Sequence, residues 1–216
     1  MNRAALVAGP TGLIGSTVLH QLLSDDRFYR TVALSRHHLD LPGDKLEQWT
    51  SPDLLSALRP EPVDAVFCCL GTTIRTAGSQ AAFRRVDHDL VIGLGNWAKT
   101  NGVNTFCVVS AIGADAGSGI FYNRVKGEME RDLKAIGLPA LHIFQPSILT
   151  GPRKEMRLGE RIGIPVMQLL APLMGGNWSR YRPMRHDTLA QAMINAATIP
   201  ASGTHAYSDI MRMAGA

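Results

Sequence analysis

Cysteine is scarce in this chain of 216 residues: there are three, Cys68, Cys69 and Cys107, all inside apolar runs. An odd number, with no neighbouring Cys or His spacing, argues against both a disulfide framework and a zinc site, so no metal is expected. Adjacent strand residues point to opposite faces, so Cys68 and Cys69 are badly placed to share a metal. All three read as buried packing thiols. Long apolar runs are also missing. The stretch Ile162 to Gly176 is broken by Gly163, Pro165, Gln168 and Pro172, which is too short and interrupted to span a bilayer. The start shows no separate charged, apolar and cleavage regions. The expected compartment is therefore the cytoplasm, with no membrane partner. Internal repeats and low-complexity linkers are absent too.

The chain has an ordinary core-forming composition, 45% hydrophobic and 19% charged. Its length suits one α/β domain over residues 1–216 and is too short for two. The net charge of +4 is modest, but seven basic residues (Arg153, Lys154, Arg157, Arg161, Arg180, Arg182, Arg185) meet only two acidic ones between 153 and 185. That bias fits either an anionic small-molecule ligand or a solvated face. No aromatic interleaving or groove-reading motif accompanies it, so no nucleic acid partner is expected.

Strand-like and helix-like segments alternate. Ala4 to Ala8, Thr31 to Ser35, Leu46 to Trp49, Asp64 to Leu70, Thr105 to Ser110 and Leu141 to Gln145 read as strands. Leu13 to Ser24, Pro52 to Leu58, Phe83 to Asn101 and Tyr122 to Ile136 read as helices. Repeated strand–helix units predict a Rossmann-type, doubly wound α/β fold: a parallel sheet with helices on both faces. Residues 152–185 read as a substrate-side elaboration holding a helix over Arg161 to Met174 and an extended piece over Tyr181 to Met184. A helix over His186 to Thr198 and a last strand over Tyr207 to Met213 are expected after it. The Met-rich end (Met174, Met184, Met193, Met211, Met213) suits core packing or a homodimer surface.

The first strand runs into Gly9-Pro10-Thr11-Gly12-Leu13-Ile14-Gly15, which opens the first helix. Gly9 permits a tight turn, Gly12 lets the backbone approach a pyrophosphate, and Gly15 lets the helix pack on the strand. Phosphates would then sit on free amides at the positive helix end. After the second strand stand Ser35-Arg36-His37-His38, with no carboxylate until Asp40. An arginine fork matches a 2′-phosphate, so the expected cofactor is NADP(H) in preference to NAD(H).

Tyr122 and Lys126 lie one helical turn apart on one face, and Ser110 ends the strand before them. A phenol that donates or removes a proton, a cation beside it and a hydroxyl that orients a carbonyl oxygen suit carbonyl reduction. Lys126 could also bond the nicotinamide ribose. Arg75, Arg84 and Arg85 fit a solvated helix start better than a phosphate contact, and Asp87 reads as a local cap or partner. His142 and His186 read as structural.

These features resemble the atypical and extended branch of the short-chain dehydrogenase/reductase superfamily. That branch uses the spacing of Gly9, Gly12 and Gly15. Arg85-Val-Asp-His-Asp89, Val109-Ser110-Ala-Ile-Gly113-Ala114, Tyr122-x-x-x-Lys126-Gly-Glu128 and Gln145-Pro-Ser-Ile-Leu149 are most similar to the group related to the oxidoreductase TIP30. The resemblance implies a Rossmann fold, NADPH binding and the roles of Ser110, Tyr122 and Lys126. It also implies that Leu70, Gly71 and Thr72 approach the cofactor, and that Pro146 to Ile148 lie beside the nicotinamide. Two departures stand out. Gln48-Trp49-Thr50 replaces an Asp-containing stretch, leaving Trp49 either over the adenine or in the core. Gln145 stands where many relatives carry Arg.

The expected function is an NADPH-dependent reductase of a small carbonyl substrate, anionic if the basic run faces it. The competing readings are an NADPH-binding regulatory protein without catalysis and an epimerase-like enzyme, for which the short C-terminal region leaves little room.

Overall fold

The computed structural model describes residues 2–151 and 181–215. Strands β1 (Arg3–Ala8), β2 (Phe28–Ser35), β3 (Leu46–Thr50), β4 (Ala65–Cys68), β5 (Thr105–Val109), β6 (Ala140–Phe144) and β9 (Gly203–His205) form one seven-stranded sheet in the order β3-β2-β1-β4-β5-β6-β9. Every pairing in it is parallel. This is the doubly wound Rossmann order with a seventh strand added, and the strand order reverses between β1 and β4. A separate parallel pair joins β7 (Leu149–Thr150) to β8 (Met184–Arg185).

The strands are apolar on both sides because both sheet faces are covered. Ala5, Val7, Phe67 and Cys107 face one core with α1 (Leu13–Leu23) and α6 (His186–Ala196). Leu6, Ala8, Val66, Cys68, Phe106 and Val108 face the other with α4 (Leu90–Thr100) and α5 (Phe121–Ile136). Cys68 and Cys69 accordingly pack against opposite cores.

Four local expectations are corrected. Tyr207 to Met213 forms a helix, α7 (Tyr207–Ala214), and the last strand is Gly203–His205. Asp209 accepts the Ala206 N–H at 3.3 Å at the helix start, and Gly215 closes the helix in the left-handed region at φ +75°. The segment expected as one helix from Phe83 begins earlier. Ser79 caps Ala82 N–H at 3.1 Å, and α3 (Gln80–Arg84), following the short α2 (Ile74–Ala77), passes through one π-helical turn (Arg85–Asp89) into α4. Pro52 to Leu58 reaches only a 3-10 turn, Leu54–Ala57. β2 starts at Phe28, where a fully buried ring anchors it. The helix expected over Arg161 to Met174 lies outside the described residues.

Candidate active site

The β1–α1 turn shows three glycines with three different reasons. Gly9 adopts φ +79°, and a Cβ there would stand 2.9 Å from the Cys69 carbonyl oxygen. A Cβ on Gly15 would stand 2.0 Å from the Gly9 carbonyl oxygen, so only glycine lets α1 seat on the turn. Gly12 differs: its Cβ would make an ordinary 3.5 Å contact with Gly9. The protein itself makes no steric demand for glycine there. Gly12 is the N-cap of α1 without a capping side chain, and no acidic residue lies in the first turn. The first amides of the helix, at Leu13, Ile14 and Gly15, therefore have no acceptor among the described residues. Thr11 is exposed at the crest, and Ile14 is buried beneath it.

Across the switch point, Leu70, Gly71 and Thr72 follow β4. Thr72 N–H donates to Asp87 Oδ2 at 2.8 Å. Lys126 Nζ lies 2.8 Å from Asp87 Oδ1, with both side chains out of water. Burial alone would push the Lys126 ammonium down, but the negative charge of Asp87, with Tyr122 and the direct hydrogen bond to Asp87, carries it above the ordinary lysine value. Asp87 thus has a partner on another helix, which corrects its reading as a local cap. Tyr122, half-buried one turn before Lys126, packs its ring on Phe83 with centroids 5.6 Å apart. A Cβ on Gly127 would stand 2.1 Å from Ala116 N, so this glycine lets the loop after β5 cross α5 beside Lys126.

Ser110 stands one residue past β5, its N–H bonded to the Phe144 carbonyl at 2.7 Å. Its hydroxyl donates to Glu130 Oε1. Gln145 Nε2 donates to both oxygens of Glu130, at 2.9 and 3.1 Å. Glu130 is a site residue that sequence reasoning missed. Its signal was a carboxylate one turn beyond Lys126 on a face shared with the buried Met129 and Leu133. The adjoining segment is fixed by its backbone: the Pro146 carbonyl accepts from Ile112 N–H at 3.0 Å, and that of Ile148 from Met184 N–H at 2.9 Å.

At the other end, the buried Ser35 donates to the His37 carbonyl at 2.7 Å, closing a turn that exposes Arg36. Trp49 is fully buried, edge-on to Trp97 at 6.1 Å, and its Nε1 donates to Glu47 at 2.6 Å. It packs in the core and does not cover an adenine. Arg84 pairs with Glu128 instead of facing solvent alone, and Arg185 pairs with Asp187. Most of the basic run (Arg153, Lys154, Arg157, Arg161, Arg180) lies outside the described residues. Arg182 lies within them, and its Nε is enclosed without a hydrogen-bond partner among them. His142 pairs with His205 at 2.9 Å, and His186 Nδ1 with Thr17 at 2.8 Å, so both are structural.

The profile of the NAD dependent epimerase/dehydratase family matches residues 5–121, from β1 into the first residue of α5. The chain belongs to that family. This membership supports a nucleotide-binding, oxidoreductase-like role with a nicotinamide cofactor. Among its relatives are Protein HTATIP2 of Rattus norvegicus, 29% identical over 94% of this chain and 84% of that protein, and Protein FMP52-1, mitochondrial, of Scheffersomyces stipitis, 34% identical over 90% and 88%. The resemblance to the TIP30 group is therefore shown. The fold also matches MoeE5 in complex with UDP-glucose and NAD (TM-score 0.69, 16% identity, 98% of this chain and 81% of that one). It matches the Helicobacter pylori ADP-L-glycero-D-manno-heptose-6-epimerase as well (TM-score 0.70, 14% identity, 99% and 81%). The expectation of a cytoplasmic location is overturned. The fungal relatives of this family member are named as mitochondrial proteins, which points away from a purely cytoplasmic one. Bulk composition and apolar patterning carry no address, because compartment is read from short signals by receptors.

Proposed function

We propose that this protein is an NADP-dependent oxidoreductase acting on a small carbonyl–alcohol pair, with Tyr122 as the acid/base and Lys126 as its electrostatic partner. The observation that carries this reading is the placing of Tyr122 and Lys126 on α5, with Lys126 paired in the interior to Asp87 and Asp87 bonded in turn to the loop after β4. That loop and the glycine turn end adjacent strands, where ligands bind in open α/β sheets. The residues fit a dinucleotide: a bare Gly12, uncapped first amides of α1, and no acidic side chain in the first turn. When bound, the nicotinamide would supply or accept hydride.

The protein's own residues do the rest. The α1 amides hold the pyrophosphate, and Arg36, at the exposed turn after β2, meets a 2′-phosphate. Tyr122 exchanges a proton with the substrate oxygen, and the Lys126 ammonium holds a ribose hydroxyl or the phenol. Ser110 borders the same oxygen. Arg182, whose carbonyl accepts the Ser147 hydroxyl, is held beside the Pro146–Ile148 segment, and its charge favours an anionic substrate. Replacing Tyr122 by Phe should abolish oxidation of NADPH by a panel of small carbonyl acids while leaving NADPH affinity within about twofold. Unchanged turnover would reject the assignment.

A further inference from the structure

We propose that Glu130 is a positioning residue that fixes Ser110 as a hydrogen-bond acceptor, so that the site prefers a ligand presenting a hydroxyl proton over one presenting only a carbonyl. This rests on the reading that Ser110 and Tyr122 border the reacting oxygen. A serine hydroxyl has one proton and two lone pairs. Here the proton is given to Glu130 Oε1, so only lone pairs remain for anything else that meets Ser110. Gln145 has only N–H groups on the side that meets Glu130, and it reaches both carboxylate oxygens. It therefore holds Glu130 as an acceptor. Ser110 is 5% exposed and Glu130 6%, so the pair is largely shielded from solvent.

The charge has no ion-pair partner among the described residues. On α5, Lys126, one turn before Glu130, is committed to Asp87, and the neighbouring Arg131 pairs with Asp132. Ser110 and Gln145, both neutral, are the hydrogen-bond donors that Glu130 has among the described residues. A lone pair on Ser110 backed by that carboxylate attracts a ligand O–H and repels a carbonyl oxygen. A hydroxyl can accept from Tyr122 and donate to Ser110 together. A carbonyl can only accept from Tyr122.

The test measures binding by fluorine NMR to protein saturated with NADPH, so no turnover is needed. The probes are 1,1,1-trifluoropropan-2-ol, which carries a hydroxyl, and N,N-dimethyltrifluoroacetamide, which only accepts. The wild-type protein should prefer the alcohol by about tenfold, the size of one hydrogen bond in a closed site. In Glu130→Gln the amide oxygen turns to Gln145 and the amide N–H₂ to Ser110. Ser110 must then aim its proton at the ligand, and the preference should vanish or reverse. Ser110→Ala should lose the preference, and Glu130→Gln should change nothing further in that background. A purely structural Glu130 would not give that coupling.

A wild-type preference below twofold, including no measurable binding of either probe, overturns the proposal. So does a preference unchanged in Glu130→Gln. If Glu130→Gln does not fold, an unchanged preference in Ser110→Ala overturns it. Tyr122-dependent turnover without the preference would sink this inference alone. The preference without turnover would sink the oxidoreductase reading alone.

Discussion

The ammonium of Lys126 and the carboxylate of Asp87 lie 2.8 Å apart in the buried interior, and the second Asp87 oxygen takes the amide proton of Thr72. One side chain thereby ties the helix that carries Tyr122 to the loop that ends β4. The π-helical turn at Arg85–Asp89 is the local irregularity that carries Asp87 to this position. A buried charge is tolerated only when paired, so neither partner can be lost cheaply.

Replacing Asp87 by Asn keeps an acceptor for Thr72 but removes the charge opposite Lys126. Stability should fall by about 3 kcal/mol, read from urea denaturation, as for a buried pair missing one partner. The Lys126 titration, followed by NMR of its ε-carbon, should move down. The wild-type ammonium is held above the ordinary lysine value of 10.5. Its stabilising contribution is thus complete below that pH and is lost as pH rises through the folded-state value. Asp87→Asn should lack this alkaline loss. An Asn variant as stable as wild type, with Lys126 titrating as before, would show the pair to be idle.

Gly12 and Gly15 should fail differently when changed to Ala. Gly15→Ala forces a methyl group to within 2.0 Å of the Gly9 carbonyl oxygen and should cost about 3 kcal/mol or more of stability. Gly12→Ala meets only an ordinary contact at φ −77° and should melt within about 2 °C of wild type. Its affinity for NADPH, measured by calorimetry, should nevertheless drop by about tenfold or more. Full cofactor affinity in Gly12→Ala would remove the pyrophosphate from this turn.

Arg36 is the arginine at the tip of the β2 turn. Arg36→Leu should weaken NADPH binding by about 10- to 100-fold, the worth of a charge-assisted hydrogen bond, and leave NADH nearly unchanged. Equal losses for both cofactors would place the 2′-phosphate elsewhere.

The His142–His205 pair should make the fold sensitive to mild acid. Burial pushes both imidazoles below their ordinary value of 6.5; for His205 the charge of His142 adds to this. A base depressed in the folded state is fully stabilising above 6.5. Below it, the unfolded chain takes up protons that the folded one refuses, and stability falls. The urea midpoint should decline between pH 6.5 and 5 and do so less steeply in His142→Gln. Parallel slopes would assign the acid loss to other groups.

Much of this protein was legible as sequence. Apolar runs at Ala4–Ala8 and Asp64–Leu70 marked strands buried on both faces, and three glycines after a strand marked the turn. The four-residue spacing of Tyr122 and Lys126 placed both on one helical face. These are local signals, set by the periods of strand and helix. The run from Tyr207 to Met213 was misread because seven residues with apolar side chains at mixed spacing suit either period. Asp209 at the helix start and the sheet position already taken by Gly203–His205 decided it.

What only the tertiary structure decided was which charge meets which donor. Asp87 faces Lys126 because the π-turn before α4 packs against α5, and Glu130 faces Ser110 because α5 lies across the ends of β5 and β6. No periodicity records such pairings, since they depend on two separate segments arriving at one point. The sequence by itself determined the sheet, the glycine turn and the Tyr–Lys face. Long-range packing determined the two carboxylates behind them, and with those the direction in which the Ser110 proton points.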